Sequence, residues 1–420
     1  MAHKILQVSH DQLDNGLKIH LVPRSDYHQM MAMVTVDYGA RDQIFEDKGV
    51  LTHEPAGLAH FLEHRLFAQP AYDAFTKISS FGDNVNAFTS QTRTSYFLTS
   101  RGYQYDSFEE LLSFTQTPYF PEKELKKEIG IIGQEIEMYQ DDPASRLYRA
   151  ILNRLFPQDP LGTDIAGTLD SIKQIDARAL MTAYTHNYVP NKMEIVVAGA
   201  FDPIQIRTLI AQSELGQARP QITGHYHLPV LSAVDTLPVE IELETVRNKV
   251  AIGQRFYEGQ MLPVGKAALN DAIAWSLVMD LVFGEFSPVY MNWYDSGLID
   301  DSFSVEFDWE RAFAFVTIIA ETSEPEELIS LVSDELQVLS DRFEDLKKWY
   351  DLAKKDMLGR MVAKLNSLEE IVTRYEGNTF GGTLLDDEIE ILQNLSVMTV
   401  HEMIRRVAVS PIASIIARPN

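Results

Sequence analysis

Residues 57–67 read GLAHFLEHRLF, and within this largely apolar run His60, Glu63 and His64 place three ionisable groups at the spacing H-x-x-E-H. On an α-helix, side chains four positions apart lie one above the other. His60 and His64 can therefore aim their imidazoles at one centre, as a tetrahedral zinc site requires. Glu63 falls one residue off that line, within reach of a metal-bound water without being a ligand itself. A carboxylate there can accept the water's proton while zinc lowers its pKa towards ~7. The order is the inverted form of a common zinc-binding helix motif. A single buried histidine is ordinarily a core residue with its hydrogen bonds met. Three polar groups on one apolar helix are different, because burying them is costly unless something satisfies them, and a metal ion does.

Zinc at a catalytic centre takes three protein ligands and keeps one position open. The segment Glu122–Gln140 (EKELKKEIGIIGQEIEMYQ) offers acids for the third, and Pro121 before it marks a helix start. Glu128 and Glu135 stand seven apart, two turns along one face, with Ile131 and Ile132 between them. Glu124 and Glu137 compete with them, and spacing alone does not choose.

The elements that must hold these residues are legible as a pattern. Period-two runs predict strands at 17–22 and 31–36, then at 84–88 and 94–99, with a short helix at 72–79. Helices dominate from 106 to 155, a strand follows at 192–200, and Asp202-Pro203 opens another helix. Between Gln217 and Asp235 the chain carries Pro, Gly, His and Ser without strong periodicity, which places a boundary between domains 1–220 and 221–420. The second half repeats the order, with strands within 240–256, a helix at 267–282, strands at 303–307 and 313–320, helices from 325 to 375 and a closing strand at 412–417. The glycine-rich stretch 376–383 lacks the Gly-Lys-Ser/Thr of a phosphate loop and reads as a turn. The expected class is α+β, two similarly built domains, each a mixed, mainly antiparallel sheet covered by helices.

Composition narrows the partners. With 36 Lys+Arg against 61 Asp+Glu the formal charge is -25, which repels nucleic acid and anionic membranes. The chain has no cysteine, so disulfides, thiolate catalysis and Cys-based zinc sites are excluded. The N-terminus lacks an uninterrupted apolar signal segment, and no run of about 18 apolar residues suggests a membrane span. A cytoplasmic location is the expectation.

These motifs resemble the pitrilysin and insulinase family of zinc metallopeptidases, in particular its short bacterial and mitochondrial-processing-peptidase type. His60, Glu63 and His64 match the family's H-x-x-E-H. Glu128 and Glu135 match its downstream E-x6-E pair, the second of them 71 residues after His64. The resemblance implies that His60, His64 and Glu135 ligate one Zn2+ per chain, that Glu63 is the catalytic base, and that Glu128 is an auxiliary catalytic acid. It further implies that Asn86, Ala87, Phe88 and Thr89, within an NAFTS segment, form an edge strand that pairs with the backbone of a peptide substrate. Leu13-Asp14-Asn15-Gly16-Leu17 before a strand is also typical of the family's opening.

One stretch departs from the family pattern. Relatives carry an arginine and a tyrosine in the second half that hold the substrate carbonyl, whereas the matching stretch Tyr290–Ile299 (YMNWYDSGLI) has no arginine. Losing an oxyanion-type donor costs on the order of a hundredfold or more in rate. The resemblance thus implies a metal-bearing subunit of a heterodimer, each chain forming half of a clam-like chamber that admits unfolded peptides, with a homologous non-metal subunit supplying Arg and Tyr. A non-catalytic structural subunit of the same fold is the alternative.

Overall fold

Runs of β-branched and apolar residues build the first sheet. The first part of the chain supplies nine strands to two sheets, β1 (Ser9–Gln12), β2 (Lys18–Pro23), β3 (Gln29–Val36), β4 (Ile44–Asp47), β5 (Val50–His53), β6 (Asn84–Thr89), β7 (Thr94–Arg101), β8 (Met193–Gly199) and β9 (His225–Tyr226), among the described residues. In β3 every residue after Gln29 is buried, and β8 is buried throughout, as central strands covered on both faces should be. The main sheet has the order β1-β2-β8-β3-β7-β6, with β2 and β8 parallel and the other neighbours antiparallel. β6 therefore lies at an edge. A separate three-stranded sheet has the order β5-β4-β9. The computed structural model describes residues 6–217, 224–256, 262–374 and 385–420, with the backbone alone at 385 and 386. The glycine-rich stretch 376–383 lies outside them, as does part of the 217–235 boundary.

The second half supplies β10 (Val239–Leu243), β11 (Lys249–Arg255), β12 (Ser304–Glu310), β13 (Phe313–Glu321) and β14 (Ile412–Pro419). Their order is β10-β14-β11-β13-β12, with β10 and β14 parallel and the rest antiparallel. Leaving β1 aside, both sheets follow one plan. The first strand runs parallel to the last, the last pairs with the second, and a hairpin closes the far edge. The two similarly built α+β domains expected from the sequence are thus present as a shared topology. Most strands run a residue or two longer than the periodicity marks, whereas β8 is two shorter than 192–200 and β2 is shifted by one from 17–22, and the periodicity gives no sign of the sheet β5-β4-β9.

Two compact units emerge, one of Met1–Met138, Thr163–Pro229 and Leu365–Gly377, the other of Tyr139–Gly162, Val230–Lys364 and Asn378–Asn420. Neither is a contiguous half. Within the second unit, helix Pro143–Leu155 begins at Asp142, whose carboxylate accepts from the Ser145 N–H at 2.8 Å. Its Leu147, Ile151 and Leu155 pack with Ala251 of β11 and Ile415 of β14. Within the first unit, helix Leu368–Thr373 packs on β3 and β8. No single helix among the described residues is long and apolar enough to cross a membrane.

Candidate metal centre

The motif lies on helix Leu58–Leu66, and its start is fixed by two glycines. Gly57 has φ 87°, and a Cβ there would come within 2.3 Å of the Ala166 carbonyl oxygen. Gly167 has φ 84°, and its Cβ would come within 2.5 Å of the Ala56 oxygen. Only glycine meets both demands, a left-handed backbone and close approach of another chain segment. Ser171 Oγ donates to the same Ala56 oxygen at 2.7 Å. Leu58, Phe61, Leu62 and Leu66 then bury into the first unit's core, which holds the other face of the helix in place.

The facing helix, Glu122–Asp141, buries Leu125, Glu128, Ile132 and Ile136 on one stripe, as 3.6-residue periodicity requires. Of the four acids the sequence left in competition, Glu128 and Glu135 reach the histidines, while Glu137 is exposed. His60 Nε2 lies 3.7 Å from Glu135 Oε1, and His64 Nε2 lies 3.8 Å from Glu135 Oε2. One ligand atom from each of the three residues lies within 4.8 Å of the others. Two imidazole nitrogens and a carboxylate oxygen with an open side form a donor set that suits zinc.

Glu128 stands behind this set. Its Oε1 lies 3.1 Å from His64 Nδ1, and its Oε2 accepts from Arg65 Nη1 at 2.9 Å. A carboxylate can only accept, so the proton sits on Nδ1 and the His64 Nε2 lone pair points to the metal position, the carboxylate–histidine support common at zinc sites. Glu128 thus touches the motif through His64 Nδ1 and Arg65, and not through the converging ligand atoms. The Arg65 contact had no sequence signal beyond a cation adjoining the motif.

Glu63 is buried, and its Oε2 accepts from Thr89 Oγ1 at 2.6 Å. Thr89 is the last residue of edge strand β6, so the same strand that presents Asn86, Ala87 and Phe88 holds Glu63. The Ala87 N–H donates to Asn86 Oδ1 at 2.9 Å.

Local electrostatics follow from burial and charge. Burial, reinforced by His64, pushes the His60 pKa down to about 3, which keeps that ring neutral with a lone pair to share. Burial also pushes Glu63 and Glu135 above the usual carboxylate range, with the Thr89 hydrogen bond opposing it at Glu63. For Glu128 burial works the same way, yet hydrogen bonds from His64 and Arg65 outweigh it and hold the group low. His64 is drawn down by burial but held above its ordinary value by Glu128, Glu63 and Glu135. Three carboxylates against one guanidinium leave surplus negative charge, which favours a cation.

In the second unit, Tyr290–Ile299 forms helix Pro288–Ser296 and its cap, Gly297 at φ 75°. The Tyr294 hydroxyl donates to Asp301 at 3.0 Å. Arg247 is paired with Asp300 at 2.5 Å, and Arg360 lines one cavity with Tyr290.

Comparison with known proteins gives the family. The model for Insulinase (Peptidase family M16) matches residues 29–169, and that for the Peptidase M16 inactive domain matches residues 174–346. The zinc protease YmfH of Bacillus subtilis is 32% identical over 403 residues, covering 94% of this chain and 92% of YmfH. A solved M16-like peptidase from Alicyclobacillus acidocaldarius superposes with a TM-score of 0.93 at 25% identity, over 99% of each chain. Pitrilysin shares the fold, with a TM-score of 0.77 at 14% identity over 100% of this chain and 45% of pitrilysin. The chain belongs to the insulinase family of zinc proteases, peptidase family M16.

Proposed function

We propose that this chain is the metal-bearing subunit of a zinc endopeptidase that cleaves unfolded peptides. His60, His64 and Glu135 hold one zinc at this centre, and Glu63 takes the proton from the attacking water. The observation that carries the reading is the convergence of both Nε2 atoms on the Glu135 carboxylate, with Glu63 buried beside them. A bound zinc supplies Lewis-acid charge that brings a coordinated water's pKa towards ~7. Burial of Glu63 raises its proton affinity towards that of the water, which suits a general base. Thr89 fixes the carboxylate from one side, and Glu128 fixes the His64 ring from the other. The open edge of β6 accepts a substrate backbone as an added strand, which gives affinity with little demand on side chains. The acidic chain favours basic peptides.

The second half matches an inactive-domain model, and helix Pro288–Ser296 carries no arginine. A homologous non-metal chain therefore completes the site with Arg and Tyr, and the two act as a heterodimer in the cytoplasm, a reducing compartment with which the absence of cysteine agrees. The same two observations favour the alternative, a non-catalytic subunit of this fold.

The test is cleavage of a long, unstructured, basic peptide by the zinc-loaded chain, alone and with a homologous non-metal chain from the same source, beside a Glu63→Gln control. Turnover that needs the second chain and vanishes in the control supports the proposal. Turnover by the chain alone refutes the need for a partner. No turnover in either form supports the structural subunit.

A further inference from the structure

A second cluster of metal-binding side chains lies on the small sheet β5-β4-β9, apart from the H-x-x-E-H centre. Ligand atoms of Glu46, His225 and His227 all lie within 4.8 Å of one another. Their placement follows from strand register. Glu46 of β4 pairs with His225 of β9, so the two side chains share a face of the sheet. The His227 N–H donates to the Ile44 carbonyl at 2.8 Å, which continues the ladder one step beyond β9. Residues two apart on an extended chain point the same way, so His227 joins His225 and Glu46 on that face. The imidazole rings of His225 and His227 stand 4.9 Å apart, and His227 Nε2 lies 2.5 Å from Glu46 Oε2. Both histidines are exposed and Glu46 is half-buried, so an ion can enter from solvent.

From this convergence we infer that Glu46, His225 and His227 form a second, surface metal site, one that takes a borderline divalent transition ion such as Zn2+ or Ni2+. Two imidazoles and one carboxylate are too poor in oxygen for Ca2+ and match the N/O preference of later transition ions. Solvent completes the coordination sphere. The ion would bond both strands of a short pair, registered at Phe45↔Tyr226 and Glu46↔His225 and continued by the His227 N–H to the Ile44 carbonyl. Its consequence is therefore local. It clamps β9 to β4, and with β9 the Tyr226 ring, which stacks on Tyr38 at 5.6 Å and whose hydroxyl donates to Glu54 at 3.2 Å. The competing account is a plain Glu46–His227 ion pair, which needs neither His225 nor a metal.

The two accounts separate by stoichiometry in a background that removes the first centre. Metal-stripped full-length chain carrying His60→Ala is titrated calorimetrically with ZnCl2 and, separately, with NiCl2, beside the same chain carrying His227→Ala in addition. We expect one ion per His60→Ala chain, with affinity at least about tenfold weaker in the double variant, since even outer ligands at metal sites are worth that much. A thermal scan in EDTA checks that both variants fold, and zinc is expected to raise the midpoint of the His60→Ala chain alone. If the His60→Ala chain binds no ion, or its ion survives His227→Ala unchanged, the second site does not exist.

Discussion

The role given to Glu128 makes a demanding prediction, because Glu128→Gln keeps the side chain's shape and removes only its charge. The two oxygens now serve two donors, Oε1 towards His64 Nδ1 and Oε2 towards Arg65 Nη1. Glutamine has one oxygen and one NH2 group. If the oxygen stays with Arg65, the NH2 faces His64, Nδ1 must accept, and the proton moves to Nε2, where it blocks the metal. If the oxygen turns to His64, the NH2 faces a guanidinium whose Nε and Nη2 are already buried without partners. Either orientation loses one of the two bonds. Replacing a group that orients a metal-bound histidine costs roughly 10- to 100-fold in metal affinity, or about 1.4–2.8 kcal/mol. Arg65 and Glu128 side chains are 6% and 11% exposed, so screening by water offers little relief. Unpairing a buried charge costs about 3 kcal/mol in folding stability. The assay is competition for zinc against a chromophoric chelator on chains shown by circular dichroism to be folded, with a urea melt of the metal-free proteins in parallel. A zinc affinity within about twofold of the native chain, as against the expected loss, refutes the positioning argument even if the variant is destabilised.

Other consequences are simpler to read. Glu63→Gln should keep zinc affinity, since Glu63 is not among the converging ligand atoms, while peptide turnover falls by about 10²- to 10⁴-fold, the usual worth of a general base. Gly57→Ala should lower stability by at least about 2 kcal/mol, measured by denaturant melts, because a left-handed residue with a Cβ is strained and the Ala166 oxygen stands at 2.3 Å. Glu54 is buried among Tyr38 and Tyr226, and burial pushes its pKa up from 4.5 to about 7. A raised carboxylate stabilises the fold below pH 4.5 and loses that contribution as pH climbs through about 7, a loss of roughly 3 kcal/mol. Glu54→Gln should remove this slope, so that the variant gains on the native chain between pH 4.5 and pH 8 in urea melts. Chelation should leave the far-ultraviolet circular dichroism unchanged, because the motif helix is held by Leu58, Phe61, Leu62 and Leu66 irrespective of the ion, whereas collapse on adding EDTA would show the metal to be structural.

The centre was more legible than its frame. H-x-x-E-H fixes its own geometry because four residues make about one helical turn, and Glu128 and Glu135 share a face for the same reason. Spacing alone left the choice among four acids open, and only the family resemblance pointed to Glu128 and Glu135, since the choice depends on which stripe of helix Glu122–Asp141 meets the motif helix, and that is settled by Leu125, Ile132 and Ile136 entering the core. The strands of the small sheet read IFED, VLTH and HY, too short and mixed to show alternation, so the Glu46–His225–His227 face could be seen only once register was known. Helix Pro143–Leu155 shows an apolar stripe in its sequence, but a stripe does not say which sheet will cover it. That is why a segment from the first half ends in the second unit.

Thr89 shows how the two levels meet. In the sequence it reads as the end of the substrate-pairing strand that the resemblance implies, with no sign of a contact to Glu63. In the fold it ends an edge strand, with its side chain directed inwards to Glu63 and no further strand beside β6 among the described residues. Period-two alternation makes this division of labour possible, since Val85 and Thr89 lie buried on one face with Asn84 and Asn86 exposed on the other, and a one-residue slip would exchange the faces. A slip would turn Thr89 away from Glu63 and leave that carboxylate buried without its donor. The register of β6 against β7, Thr89 opposite Thr94 and Asn84 opposite Thr99, is therefore constrained from both sides. The core demands Val85 on the inside, and the base demands Thr89. A peptide that adds to the open edge of β6 thus meets a strand whose position along its axis is already tied to Glu63. If a peptide pairs with β6 as proposed, the sheet's register helps set which backbone position comes nearest Glu63.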